Sequence, residues 1–144
     1  MKIFLDANIL VSVLNKEYPV FTYSSRLLSL ADNKKFKLFT SPLCLAIAFY
    51  FAEKKCGSLL AKRKIEILAT KLHIAECSKT EVSNALSNKL INYFEDGLEY
   101  YSALNAKCEI IVTEDLNDFY FSEIEVLNSQ TFINRLLSFE YKIG

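Results

Sequence analysis

The chain has 144 residues, 51% of them hydrophobic, with Phe and Tyr as its aromatics and no Trp, which fits one domain (1–144) with a packed core and excludes a disordered chain. Seventeen basic residues balance seventeen acidic ones, so there is no general pull towards nucleic acid, and any such contact must come from a local patch. The longest apolar run, Leu43 to Ala52, is much shorter than the ~20 residues of a bilayer-spanning helix; with no signal peptide visible before Asp6, and with Cys44, Cys56, Cys77 and Cys108 too far apart for a zinc site, the expectation is a soluble cytoplasmic protein with reduced thiols.

In chain order, Ile3 to Leu5 reads as a short buried strand. Ile9, Leu10, Val13 and Leu14 follow at helical spacing until Asn15-Lys16-Glu17-Tyr18-Pro19 breaks the pattern. A second helix is expected from Thr22 or Ser24, and Phe36 to Thr40 is a second strand. Ser41-Pro42 is a strong helix start, with Ser as N-cap and Pro at the first helical position. The helix to about Lys55 is apolar nearly all round, which predicts a central element covered on several sides. Cys56-Gly57 closes it, Ser58 caps another helix to about Lys71, and Leu72 to Cys77 is a third strand. Ser78 and Glu81 match a capping box for a helix to about Leu90. Phe94 to Ala106 is helical, Glu109 to Thr113 is a buried strand, Glu125 to Leu127 is a last short strand, and Asn128 or Ser129 caps a final helix through Phe139. Strands alternating with helices along the whole chain give an α/β fold, a parallel sheet sandwiched by helices.

Chemistry in such a sheet gathers outside the carboxyl ends of its strands. Asp6 ends the first strand, Thr113 to Asp118 follow the fourth, and Asp96 opens the helix that leads into the fourth. Each acid has an ordinary explanation: Asp6 as a helix cap, Asp96 as a charge favoured at a helix N-terminus, Asp115 and Asp118 as turn residues. Their joint placement points further. Carboxylates brought together repel, and a divalent ion resolves the repulsion; oxygen ligands favour a hard ion such as Mg²⁺ or Mn²⁺. Such an ion activates water and neutralises charge on a phosphodiester. Lys54-Lys55 and Lys62-Arg63-Lys64 are candidates for RNA phosphate contact, although basic runs on helices are commonly solvated faces. His73, the lone histidine, lies in a strand pattern and supports no histidine-based nucleophile.

Three segments taken together, Leu5-Asp6-Ala7-Asn8-Ile9-Leu10, Glu95-Asp96-Gly97-Leu98-Glu99 and Ile111-Val112-Thr113-Glu114-Asp115-Leu116-Asn117-Asp118-Phe119, resemble the PIN domain, and more narrowly the VapC-type toxin ribonucleases of bacterial toxin–antitoxin pairs. The resemblance covers essentially the full chain. It implies a three-layer α/β/α fold, with Asp6, Asp96 and Asp115 at the catalytic metal-site positions, Asp118 as a nearby fourth acid, and Asn8 and Thr113 as polar supports. It further implies Mg²⁺ or Mn²⁺ as cofactor, RNA as substrate and an antitoxin as partner, while the apolar, Phe- and Tyr-rich composition itself leads to the expectation of surface hidden in a homodimer or under an antitoxin segment. One position departs from the pattern: where such nucleases carry a glutamate early in the helix after Ser41-Pro42, this chain has Ile47. The alternative is therefore a PIN-like module that binds RNA or a protein without cutting. Phosphotransfer hydrolases and receiver domains do not fit, because the residue two after Asp6 is Asn8 and the middle strands end without a phosphoacceptor aspartate.

Overall fold

The computed structural model describes the backbone of residues 1–143 and the side chains of residues 1–139. Five strands, β1 (Lys2–Leu5), β2 (Lys37–Thr40), β3 (His73–Ile74), β4 (Ile110–Val112) and β5 (Glu125–Leu127), form one sheet in the order β3-β2-β1-β4-β5. Every pairing is parallel; Phe4 stands opposite Phe39 on one side and Ile111 on the other. Helices flank the sheet: α1 (Ala7–Leu14), α2 (Val20–Ser29), α3 (Pro42–Cys56), α4 (Ser58–Lys71), α5 (Lys79–Ser87), α6 (Phe94–Asn105) and α7 (Ser129–Ile143). The central strands carry apolar residues on both faces because both are covered: Ile3, Phe4, Leu5, Ile111 and Val112 have no solvent exposure.

The chain runs outward from β1 to β2 and β3, then crosses back to place β4 on the other side of β1. The strand order therefore reverses between β1 and β4, which leaves a crevice at their carboxyl ends. An apolar cavity of about 600 Å³ lies at the opposite edge, lined by Met1, Phe36, Ile110, Phe132 and Leu136. Glu125, which also lines it, is tied to Arg135 at 2.7 Å. Among the described residues no helix is long and apolar enough to cross a membrane.

Local signals act as the sequence dictates. Ser41 Oγ accepts the Cys44 backbone N–H at 3.2 Å, and Pro42 opens α3 where no hydrogen-bond donor is needed. Gly57 ends α3 at φ 82°, in the left-handed region that favours glycine. The Ser78 backbone N–H donates to Glu81 Oε1 at 2.8 Å at the start of α5. Within α6, Gly97 lets two helices touch, since a Cβ there would stand 2.9 Å from Ala85 Cβ on α5.

Several boundaries differ from expectation. β3 holds two residues instead of Leu72 to Cys77, because it is an edge strand paired only with the last two residues of β2. α2 starts at Val20, directly after Pro19, rather than at Thr22 or Ser24. α5 ends at Ser87, short of Leu90, where Asn88 Oδ1 accepts the Leu90 N–H at 3.0 Å and turns the chain. α3 is covered less completely than expected. It packs against α1, α4 and α6 and buries Cys44, Ala48 and Ala52, but leaves Tyr50 and Phe51 about half exposed. Part of the basic run is used locally: Lys55 Nζ donates to Asn15 O at 2.6 Å and Lys64 Nζ to Leu14 O at 3.2 Å, so both lysines satisfy carbonyls at the end of α1.

Candidate metal centre at the sheet edge

Asp6 enters the crevice as the continuation of β1. Its backbone N–H still donates to Val112 O at 3.0 Å, so the sheet holds its Cα in place. The carboxylate then serves two purposes. Oδ1 accepts the Ala7 N–H at 2.6 Å and caps α1, while Oδ2 accepts the Thr113 hydroxyl at 2.7 Å. The capping explanation is thus correct, and it accounts for only one oxygen.

Thr113, fully buried, organises the loop after β4. Its Oγ1 donates to Asp6 and accepts both the Asn8 side-chain amide and the Asp115 backbone N–H, each at 3.0 Å. Asn8 Nδ2 also lies 3.3 Å from Asp6 Oδ2 and 3.2 Å from Asp115 Oδ2, and Asn8 Oδ1 accepts the Glu114 N–H at 3.1 Å. One amide and one hydroxyl therefore hold two carboxylates from distant parts of the chain. The loop has a second anchor: Glu114 Oε1 accepts both the backbone N–H of Ser129, at 3.1 Å, and its hydroxyl, which fastens the loop to the start of α7. Asp118 follows in a 3-10 turn (Leu116–Phe119), its N–H donating to Asp115 O at 3.0 Å.

Electrostatics brings in the acids that make no direct bond to this network. Burial is the main cause that raises the Asp96 carboxyl from 3.8 to about 7, followed by the charges of Asp118, Asp6, Glu95 and Asp115. Burial likewise raises Asp118, followed by the charges of Asp115 and Asp6. Asp6, Asp96, Asp115 and Asp118 thus share one field, although only Asp6 and Asp115 are joined through Asn8 and Thr113.

The sequence did not single out Glu99. It lies one helical turn after Asp96, in α6, and is 3% exposed. Among the described residues, one group of potential metal-ligand atoms lies within 4.8 Å of one another: those of Asp6, Cys44 and Glu99. The Cys44 thiol donates to Glu99 Oε1 at 3.2 Å, whereas Glu99 Oε2 is buried without a hydrogen-bond partner. Burial holds the Glu99 carboxyl well above the usual range, and the Asp6 carboxylate adds to the effect through its charge and through a hydrogen bond between the two carboxyl groups. The Asp96–Glu99 spacing, which puts both acids on one helix face, was the available signal. Ile47 is half-buried and packs against the core.

The donor set suits a hard divalent cation. It is rich in carboxylate oxygen, burial and like charge raise the Glu99 and Asp96 carboxyls, and one oxygen of Glu99 accepts from no donor. The ion pairs among the described residues, Lys71–Asp32 and Arg135–Glu125, leave all of these acids without a cationic partner.

A parallel α/β sheet with acids gathered where its strand order reverses is the architecture of a PIN-type nuclease fold. The PIN-domain profile matches residues 2–117, and the chain belongs to that family. No curated protein is similar enough in sequence to match. Among solved structures, VapBC2 from Rickettsia felis, bound to a DNA fragment from its promoter, superposes with a TM-score of 0.67 at 21% identity, covering 89% of this chain and 98% of that one. VapBC-1 from nontypeable Haemophilus influenzae gives 0.67 at 17% identity, covering 90% and 99%. VapC20 from Mycobacterium tuberculosis, a sarcin–ricin loop cleaving toxin, gives 0.61 at 16% identity, covering 76% and 86%. At these identities the likeness is one of fold.

Proposed function

We propose that this chain is a metal-dependent endoribonuclease, the toxin of a toxin–antitoxin pair, acting in the cytoplasm. The observation that carries the reading is the unpaired group of acids at the β1–β4 crevice, with Asp6 and Asp115 locked together by Asn8 and Thr113. Asp6, Asp96 and Asp115 are the proposed ligands of Mg²⁺ or Mn²⁺, and Asp118 adds negative charge beside them. A bound divalent ion supplies positive charge for a phosphoryl oxygen and makes a water molecule acidic enough to attack phosphorus. Asn8 and Thr113 fix the angle between the Asp6 and Asp115 carboxylates, so that little reorganisation is needed when substrate arrives. Asp96, near neutral pKa, must lose its proton for the centre to assemble, which makes metal binding pH-dependent.

Cleavage of structured RNA by the purified chain is the test. Wild type should cut with Mn²⁺ and stop with a chelator, and Asp6→Asn should lose activity by about a hundredfold or more, as expected when a ligand of the ion is removed. Cleavage that survives in chelator or in Asp6→Asn would overturn the proposal. A second reading, a module that binds RNA or protein without cutting, draws on Ile47, because α3 offers no carboxylate before Glu53. RNA binding without cleavage under the same conditions would favour it.

The partners belong to the same reading. Tyr50 and Phe51 on α3, with Leu59, Leu60 and Ile67 on α4, leave apolar surface exposed. We assign this surface to a homodimer contact, with an antitoxin segment as the second partner of the chain.

A further inference from the structure

Glu99 is more enclosed than Asp6, at 3% against 7% exposure, yet one of its oxygens accepts from no donor, and besides Cys44 its hydrogen-bonding neighbour is the Asp6 carboxylate. An orphaned carboxylate oxygen at that depth is unfavourable unless a proton or a cation meets it. The other oxygen accepts from the Cys44 thiol at 3.2 Å, so Oε2 is the one left free. Ligand atoms of Asp6, Cys44 and Glu99 lie within 4.8 Å of one another, a separation that a small side-chain shift brings within the roughly 4.2 Å span of opposed ligands on Mg²⁺. Helix α3 packs on α6 here, and no acid occurs in it between Pro42 and Ala52.

We propose that Glu99 is a direct ligand of the divalent ion, supplying from α6 the carboxylate that α3 lacks. This rests on the metal-site reading above and goes beyond it by reassigning a ligand. The Cys44 thiol stays outside the coordination shell. It is fully buried, its S–H donates to Glu99 Oε1, and a hard ion prefers oxygen. Its hydrogen bond to Oε1 fixes the side chain and leaves Oε2 for the metal. The centre then draws Asp6 from β1, Asp96 and Glu99 from one turn of α6, and Asp115 from the loop after β4.

The competing role for Glu99 is a neutral acid that only shares a proton with Asp6. Glutamine distinguishes the two, since it keeps the shape and a hydrogen-bond donor but ligates poorly. Mn²⁺ is titrated calorimetrically into wild type, Asp6→Asn, Glu99→Gln and Glu99→Asp, with folding checked by circular dichroism. Glu99→Gln is expected to weaken Mn²⁺ affinity by about tenfold or more, as the loss of one charged ligand does. Glu99→Asp, which keeps the charge but draws it back by one methylene, should bind with intermediate affinity, and it carries the test if the glutamine variant does not fold. Unchanged affinity in the foldable Glu99 variants, with binding lost in Asp6→Asn, overturns the assignment of Glu99 and leaves the metal site standing. Absence of Mn²⁺ binding in wild type removes the metal site itself, and Glu99 with it.

Discussion

Replacing Asp96 by asparagine should make the metal-free protein more stable at neutral and alkaline pH. Folding lifts the Asp96 carboxyl from 3.8 to about 7, because the folded chain partly buries it beside Asp118, Asp6, Glu95 and Asp115. Below pH 3.8 both states hold the proton and the residue contributes nothing. Between that value and about 7 the unfolded chain releases the proton while the folded chain keeps it, so stability falls as pH rises; above about 7 the penalty is constant. At 1.36 kcal/mol per unit the whole shift would amount to roughly 4 kcal/mol. Asp96 is only half-buried, and solvent screening reduces this to about 1–2 kcal/mol, or a midpoint shift of ~2–8 °C in a chain of this size. Urea unfolding of wild type and Asp96→Asn in chelator, from pH 4.5 to 8.5, measures the difference. The two curves should meet at the acid end and separate towards pH 8, with the variant above. A variant as stable as wild type at every pH, or less stable at pH 8, would refute the argument from burial and like charge. Saturating Mn²⁺ should reverse the order, since the ion stabilises wild type through the ligand that the variant lacks.

Thr113→Val removes a buried hydroxyl that donates to Asp6 and accepts from Asn8 and Asp115, and should lower stability by about 1–3 kcal/mol, read from urea unfolding. Gly97→Ala forces a methyl group to 2.9 Å from Ala85 Cβ; overpacking of about 1–3 kcal/mol exceeds the helix-propensity gain of ~1 kcal/mol, so the thermal midpoint should fall, and a rise would show that α5 and α6 separate easily. Phe51→Glu places a charge on the exposed face of α3 and should shift the chain towards monomer in light scattering without lowering the thermal midpoint by more than ~2 °C.

What the sequence made legible depended on how local the cause was. β1 and β4 are short apolar runs that only a doubly covered strand explains, and Ser41-Pro42 and Gly57 mark the ends of α3 through their own backbone chemistry. Asp6, Asn8, Thr113 and Asp115 could be placed because each sits within three residues of a buried strand end. Glu99 could not. A glutamate inside an amphipathic helix ordinarily faces water, and the thiol that Glu99 meets, Cys44, is 55 residues away in the chain. The length of β3 and the bare outer face of α3 were hidden for a related reason. An edge strand is as long as its one partner allows, and an apolar helix reads the same whether this chain or another molecule covers it.

The tie between Glu114 and Ser129 makes the tail of the chain a mechanical part of the acid loop. The PIN-domain match ends at residue 117, so Ser129, the far end of this clamp, lies outside the matched residues. Trimming the protein to the matched length would keep Asp6, Asp96, Glu99 and Asp115, lose Asp118, and release the backbone that aims Asp115. Here the boundary of the family pattern is not the boundary of the working unit. A force applied at α7, from a bound partner or a fused protein, reaches the carboxylates through the Glu114 side chain and through the Thr113 N–H, which donates to Leu127 O two residues before α7.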